Sequence, residues 1–255
     1  MPFQKIELDR VAVNVISQIE QLILRGIIRP GERLPSERDL AERMGVSRPS
    51  LREAISLLQD KGLLTTKANA GVFVAELLGA PFSVPLTDLF STHDEAVFDY
   101  ISFRSDLEGM AAERAANLGS ETDLKVIKAI FDKMQAVHEL KDPDQEASLD
   151  AEFHMAIIEA SHNVFLLHMV RSMFEMLKKG VFYNRQIMFS RHTTRGALLE
   201  QHRAICNAIQ NRNPKAARKA AEDHMDFIKA CMEEVKKAEA NEMIAKLRLD
   251  HTETN

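Results

Sequence analysis

The chain has 255 residues, of which 45% are hydrophobic and 28% are charged. These are ordinary values for a globular protein, and they exclude a collagen-like, low-complexity or wholly disordered chain. No run of about 18 apolar residues is present, which excludes a transmembrane helix, and the N-terminus lacks the apolar core of a signal peptide. The two cysteines, Cys206 and Cys231, are too few for a disulfide scaffold or a cysteine-based zinc site. We therefore expect a cytoplasmic protein with no membrane partner.

Charge and helix-breaking residues are unevenly distributed along the chain. Residues 1–75 carry 11 Lys and Arg against 9 Asp and Glu, a net charge of +2, and the rest of the chain carries −7. A mildly basic N-terminal part favours a polyanion as its partner. Six of the 8 prolines and six of the 10 glycines also precede residue 86. This pattern predicts short elements first and long helices afterwards.

The N-terminal part has the element order of a winged helix-turn-helix. Apolar residues at helical spacing predict a first helix over residues 9–25. Ser36 is a predicted N-cap, Gly45 ends the short helix that follows it, and Ser47 is the N-cap of the next helix. Two short apolar runs then bracket an Asn- and Gly-containing turn within residues 63–74, which predicts a β-hairpin.

The sequence predicts a mainly α protein with four segments. These are the winged helix-turn-helix DNA-binding domain (1–77), a linker (78–95), an antiparallel all-helical bundle (96–238) and a charged, frayed tail (239–255). Within the bundle we expect helices over about residues 96–118, 121–140, 146–161, 163–190, 195–211 and 214–238, separated by Gly, Pro and Asn steps.

The start of the second helix of a helix-turn-helix faces base edges in the major groove. Arg is suited to bidentate contact with guanine, and Ser hydroxyls and helix N-terminal amides suit phosphate oxygens. Arg38, Arg48 and Arg52 around this turn could instead be ordinary solvent-exposed residues of a helix surface. Their clustering before a hairpin favours DNA contact. The candidate DNA-binding residues are Arg38, Ser47, Arg48, Pro49, Ser50, Arg52, Lys67 and Gly71.

Four residues of the helical part form a candidate metal site. Asp150 and His154 are four residues apart and therefore lie on one helical face. His202 and His224 each lie in a later amphipathic stretch, so all four side chains can point into a bundle. Three imidazoles and one carboxylate suit zinc, nickel, manganese or iron and can leave coordination positions open. From spacing alone, each histidine could equally be a hydrogen-bonded core residue.

Residues 26–41 (GIIRPGERLPSERDLA) and 45–54 (GVSRPSLREA) are very similar to the signature of the GntR superfamily of bacterial repressors. The resemblance implies a winged helix-turn-helix, and the DNA-contacting positions of the family fall on Arg38, Ser47, Arg48, Ser50 and Arg52. The wing tip departs from the pattern. Close relatives carry a glycine-rich tip after a Gln, whereas this chain has Ala68-Asn69-Ala70-Gly71.

Residues 96–235 resemble the ligand-binding FCD domain of the FadR subfamily. The resemblance implies that Asp150, His154, His202 and His224 bind a divalent metal, with zinc as the first candidate. His162-Asn163 and the following Leu166-Leu167-His168 resemble the lactate- and pyruvate-responsive repressors in particular. The other histidines do not fall on ligand positions: we interpret His162 and His168 as structural, and His93, His138 and His192 as surface residues.

The same resemblance implies an effector site beside the metal. Arg104 matches an arginine of the first FCD helix, and a buried cation would neutralise a carboxylate ligand. Asn184 and Arg195 are further candidates, although each could instead be a surface or inter-helix hydrogen-bonding residue.

The resulting hypothesis is a homodimeric repressor that binds palindromic operator DNA and responds to a small carboxylate of the lactate, pyruvate or glycolate class. Two alternatives stay open. One is a metal-dependent enzyme acting on a hydroxy or keto acid, although no carboxylate is clearly placed as a general base. The other is a regulator whose metal is purely structural.

Overall fold

The computed structural model describes residues 10–67, 70–76, 89–90, 93–140, 142–178 and 192–253. The chain divides into two compact units, Met1–Pro81 and Phe82–Asn255. The first unit contains α1 (Arg10–Leu24), α2 (Glu37–Met44), α3 (Arg48–Asp60), β1 (Leu64–Lys67) and β2 (Gly71–Val74). The second contains α4 (Asp94–Leu118), α5 (Glu121–Leu140), α6 (Pro143–Ala160), α7 (Val164–Lys178), α8 (His192–Gln210) and α9 (Pro214–Glu253).

The turn between α2 and α3 follows from local capping chemistry. The Ser36 hydroxyl accepts a hydrogen bond from the backbone N–H of Asp39 at 3.2 Å, and the Ser47 hydroxyl accepts one from Ser50 at 3.2 Å. Gly45 adopts a left-handed backbone with φ of +64°, which lets α2 end and the chain turn into α3. The predicted helix-turn-helix is confirmed.

The hairpin completes the winged fold. β1 and β2 are antiparallel, with Leu64 opposite Val74 and Lys67 opposite Gly71. Arg33 forms a single antiparallel β-bridge to Phe73, so the segment before α2 pairs with the hairpin at this one position. The side chains of Leu64 and Val74 are buried in one core with apolar residues of α1 and α3.

The second unit is a helical bundle around one apolar core. The most extensive helix–helix packing in this unit is between α4 and α9. Small residues on α4 permit this close approach, since a Cβ at Gly109 would lie 3.1 Å from Cγ of Glu222, and Ala111 and Ala112 are fully buried. The mainly α fold class is confirmed, with the hairpin as the sheet of the described residues. No helix of the described segments is long and apolar enough to cross a membrane.

Helix ends differ from the prediction at several places. α4 begins at Asp94, inside the segment expected to be a linker, and α6 begins at Pro143, where Asp142 caps it. The expected end of the last helix near residue 238 is wrong, because α9 continues to Glu253. The extension 239–253 contains Glu, Ala, Leu, Met, Lys and Arg but no Gly or Pro, so helix propensity favours its continuation. Residues 179–190 of the expected fourth helix lie outside the described residues.

Candidate metal centre and nucleic-acid interface

Four buried side chains meet inside the second unit, and we call Asp150, His154, His202 and His224 the His3Asp cluster. α6 supplies Asp150 and His154, α8 supplies His202 and α9 supplies His224. One potential ligand atom from each residue lies within 4.8 Å of the others. Both His202 and His224 have no solvent-exposed surface. The structure therefore brings together all four residues that the sequence picked as candidate metal ligands.

The imidazole rings are oriented by partners outside the cluster. The Nδ1 atom of His154 lies 2.7 Å from Oε2 of Glu108 on α4. Nδ1 of His224 lies 3.0 Å from Oε1 of Gln201 on α8. An Nδ1–H that donates to such a partner leaves the lone pair of Nε2 for a metal, which is the usual arrangement around protein metal ions.

The Nε2 atoms converge on one another. Nε2 of His202 lies 3.2 Å from Nε2 of His154 and 3.0 Å from Oδ1 of Asp150. Nε2 of His224 is buried and has no hydrogen-bond partner among the described residues. A buried polar nitrogen without a partner is costly unless a ligand uses its lone pair. This arrangement fits a divalent metal ion, because each residue offers one donor atom to a shared centre.

The protonation preferences of the three imidazoles differ. Burial alone would lower the pKa of His154, but the carboxylates of Glu108 and Asp150 outweigh burial and raise that pKa to about 9. Burial lowers the pKa of His202 and holds the pKa of His224 well below its ordinary value. Burial would raise the pKa of Glu108, but Arg104 and His154 lower it well below its usual range. The imidazoles of His202 and His224 are thus available as ligands without loss of a proton.

Arg104 lies beside the cluster, as the effector prediction requires. Its side chain is buried, and its Nε lies 2.7 Å from Oε1 of Glu108, one turn further along α4. Next to this pair is a cavity of about 10 Å³, lined by Glu108, Ala111, Ala112, His154, Ile157, Ile158, Ile205 and Ala221. The cavity therefore adjoins the His3Asp cluster at His154 and the buried Arg104–Glu108 pair at Glu108.

Arg195 makes a different set of contacts. Its Nε and Nη2 atoms lie 2.8 and 2.7 Å from the two carboxylate oxygens of Glu146 on α6. Nη2 also donates to the backbone carbonyl of His138 at 2.9 Å. This geometry favours the inter-helix role left open for Arg195, because its guanidinium already ties the start of α8 to α5 and α6. Asn184, the other weaker effector candidate, lies outside the described residues.

The remaining histidines lie away from the four ligands. His162 has a φ of +49°, and its Nε2 lies 2.9 Å from the carboxylate of Asp123 across the bundle surface. His138, expected at the surface, is only partly exposed because Nδ1 contacts Glu146 at 3.0 Å. His93 is exposed and His168 is half-buried, whereas the side chain of His192 lies outside the described residues.

The first unit exposes the predicted DNA-binding residues around the start of α3. Ser47, Arg48 and Pro49 are exposed there, and the side chain of Arg38 on α2 is 79% exposed. No ion pair of Arg48 is found within the described part of the chain. Arg52 differs, since its guanidinium forms two hydrogen bonds of 3.1 and 3.0 Å with Glu37. Arg48 is thus the arginine of α3 that the fold itself does not use.

The wing carries two of the predicted residues at its base. Lys67 is exposed, and its Nζ lies 4.7 Å from the centre of the Phe73 ring. Gly71 has a φ of +104°, a conformation that favours glycine. A Cβ at Gly71 would lie 3.1 Å from Nε of Arg33, which places a further basic side chain beside the wing. Ala68 and Asn69 of the atypical tip lie outside the described residues.

Sequence reasoning missed four residues that support these sites. Glu108 and Gln201 orient the histidines, Glu37 pairs with Arg52, and Arg33 packs at the wing. Glu108 is four residues after Arg104, which is the spacing of a helical ion pair and was a usable signal. Gln201 directly precedes His202 but serves His224, so no local pattern reveals its role.

Comparison with known proteins gives both units a match. Residues 11–74 match the model described as bacterial regulatory proteins, gntR family, and residues 99–227 match the FCD domain. The Glc operon transcriptional activator of Escherichia coli (strain K12) is 35% identical over 224 residues, 87% of this chain and 88% of that protein. The putative L-lactate dehydrogenase operon regulatory protein of the same strain is 32% identical over 249 residues, 96% and 95% of the two chains. Among solved structures, Streptococcus agalactiae GntR superposes with a TM-score of 0.52 at 23% identity, covering 86% of this chain and 99% of that one, which is a likeness of fold.

Proposed function

The chain belongs to the GntR family of bacterial regulatory proteins and carries its FCD domain, and from that premise we propose that a small organic acid bound at a metal site controls its binding to operator DNA. It is a DNA-binding transcriptional regulator and not an enzyme, as both matched families and the similar relatives are regulators. The proposal concerns the metal, the effector, the dimer and the direction of regulation.

One observation carries the metal part of the proposal. Nε2 of His224 is buried without a partner at the point where donor atoms of Asp150, His154 and His202 converge. Such a centre would hold one divalent ion, with zinc as the first candidate and nickel, manganese or iron as alternatives. When bound, the ion would supply the positive charge and open coordination positions that attract carboxylate oxygens.

The effector part of the proposal depends on Arg104. Its buried guanidinium can form charge-assisted hydrogen bonds with an acid that enters the cavity lined by its partner Glu108. Ala and Ile side chains line most of that cavity, so a short carbon chain would meet apolar walls once the present volume of about 10 Å³ is enlarged. The relative named for the L-lactate dehydrogenase operon supports lactate or pyruvate as the acid, and glycolate is the two-carbon alternative of the same class.

The DNA part of the proposal is a homodimer on a palindromic operator in the cytoplasm. Two copies of α3 would place Arg48 in two half-sites related by two-fold symmetry. The acid changes DNA binding only by as much as its affinity differs between the two states, and a coupling of about 1–3 kcal/mol gives a useful switch. We propose repression as the output. Lower expression of the target after deletion of the gene would show activation instead, which is the role in the name of the Glc relative.

The experiment combines native mass spectrometry with DNA binding. Duplexes selected by the full chain from a random pool would be titrated by fluorescence anisotropy, with zinc-loaded or chelated protein and with L-lactate, pyruvate or glycolate. We expect a dimer with one metal ion per chain and an acid-dependent change in DNA affinity that chelation removes. A chain that selects no duplex sequence over random DNA at moderate salt would overturn the proposal that an acid controls its binding to operator DNA.

The purely structural metal is separated in the same titration. If chelation lowers the thermal stability but leaves the acid response intact, the acid binds elsewhere and the effector proposal fails. If the chelated chain stays folded and binds DNA but no longer responds to the acid, the cluster serves the effector as proposed.

A further inference from the structure

Arg104 already has a carboxylate in the place where an effector carboxylate would bind. Nε and Nη2 of Arg104 lie 2.7 and 2.6 Å from Oε1 of Glu108. Both side chains are buried, with 4% and 6% of their surface exposed. The second oxygen of Glu108 lies 2.7 Å from Nδ1 of His154, a residue of the His3Asp cluster. Glu108 therefore sits between the buried cation and the cluster, as a bound acid would.

The cavity beside Glu108 is too small for an organic acid. Its volume of about 10 Å³ is room for about one water molecule. A three-carbon acid therefore fits only if a lining side chain moves. Six of the eight lining residues are Ala or Ile, and the other two are His154 and Glu108. His154 is held as a cluster residue, whereas Glu108 can make room by exchanging its contacts with Arg104 and His154 for those of an incoming acid.

Exchange of one carboxylate for another would keep the charge balance of the buried site. Removal of Glu108 without replacement would take away a carboxylate that contacts two nitrogens of the buried Arg104 guanidinium, which is unfavourable. An incoming acid that pairs with Arg104 removes this penalty. The same exchange releases Nδ1 of His154 from Glu108 and so alters a contact between α4 and α6.

We propose that Glu108 is a built-in competitor of the effector, which an acid must displace from Arg104 in order to bind. The inference rests on the proposed effector site. It assigns Glu108 a role in setting the affinity, because the acid pays for displacing an internal ligand before it gains its own contacts. It also limits the site to acids small enough to fill the space of one carboxylate side chain.

The test uses Glu108→Gln in the full, zinc-saturated chain, with metal content measured first because Glu108 also orients His154. Isothermal titration calorimetry with L-lactate, pyruvate and glycolate gives the affinity. A neutral amide competes less well for Arg104 than a carboxylate, so we expect about tenfold tighter binding of the acid. Glu146→Gln is the matched control, since it neutralises another buried glutamate that pairs with an arginine. We expect no tightening in that variant.

The outcomes separate this inference from the proposed function. If the wild-type chain binds an acid and Glu108→Gln binds it equally or more weakly at full metal content, the competitor role is wrong and the effector site stands. If no acid binds the zinc-loaded wild-type chain, both fail. A crystal structure of the wild-type complex gives an independent check should the variant not fold. The acid is expected on Arg104 with Glu108 displaced, and an intact Arg104–Glu108 pair with acid bound would overturn the inference.

Discussion

The two units hold their functional side chains in opposite environments. In the first unit, Arg38 and Arg48 are exposed, and the fold does not need Arg48. In the second unit, His202 and His224 are completely buried, and one nitrogen of His224 lacks a partner. An exposed cation near a helix N-terminus indicates a partner outside the chain, whereas a buried unpartnered nitrogen indicates a ligand within it. The two cases therefore require different tests.

The largest effect on function is expected from a substitution in the buried His3Asp cluster of the second unit. His202→Ala removes a ligand whose Nε2 lies 3.0 Å from Asp150 and 3.2 Å from His154. Since even partners outside the metal ligands change affinity by about 10–100-fold, loss of a ligand should exceed this range. We expect substoichiometric metal by mass spectrometry and loss of the acid response, with DNA binding in the absence of acid retained.

His162→Ala is the matched control for the loss of an imidazole. His162 lies in the same unit and contacts Asp123 at the surface, so its removal should leave the metal content unchanged. Full metal occupancy and normal affinity in the His202 variant would remove His202 from the site. A loss of metal in both variants would show that the measurement reports general destabilisation.

The exposed side predicts a smaller and more selective effect. Arg48→Ala should weaken specific DNA binding by about 1–3 kcal/mol if its guanidinium contacts a base. Because the side chain is exposed, the free energy of unfolding should change by less than about 0.5 kcal/mol. Fluorescence anisotropy with the selected duplex and with random DNA measures the loss of specificity.

Two other arginines sharpen this comparison. Arg25 is exposed directly after the end of α1 and lies outside the helix-turn-helix, so Arg25→Ala should have little effect on the specificity of DNA binding. Arg52→Ala should lie between the two, because Glu37 already pairs with its guanidinium. Equal operator affinity for the wild-type chain and the Arg48 variant would contradict the assignment of α3 as the recognition helix.

An intermediate effect is expected from the residues that orient the histidines. Gln201→Ala removes the partner of Nδ1 of His224 at 3.0 Å and should lower zinc affinity about tenfold, measured by competition with a chelator. Gln210→Ala is the control on the same helix, since Gln210 donates to the carbonyl of Leu124 and not to the cluster. Unchanged zinc affinity in the Gln201 variant would mean that packing alone orients His224.

The parts that the sequence predicted are those with local causes. Ser36, Gly45 and Ser47 define helix ends through contacts within a few residues, so their roles were readable from the chain. Asp150 and His154 share a helical face for the same reason. His202 and His224 were candidates because each lies in an amphipathic stretch, and the family resemblance supported them, since their convergence depends on how three helices pack.

The parts that sequence reasoning missed depend on distant partners or on the absence of a signal. Nothing local shows that Arg195 would pair with Glu146, 49 positions away. Glu108 was overlooked although its spacing from Arg104 fits an ion pair, because its contact with His154 exists only in the folded bundle. The end of α9 was placed too early because charge was interpreted as fraying, while no Gly or Pro stops the helix.

The smallest effect is expected from this extension of α9. Residues 239–249 are all exposed, including the apolar side chains of Met243, Ile244, Leu247 and Leu249. Truncation after Ala238 should therefore change the free energy of unfolding by no more than about 0.5 kcal/mol in urea denaturation. Truncation after Ala230 is the contrasting variant, because it also removes the buried Val235 and the 2.8 Å contact between Lys236 and Asp94. We expect only this second truncation to destabilise the bundle. A comparable loss of unfolding free energy after truncation at Ala238 would mean that the exposed apolar residues are covered in solution. Sedimentation velocity would then show whether a second copy covers them.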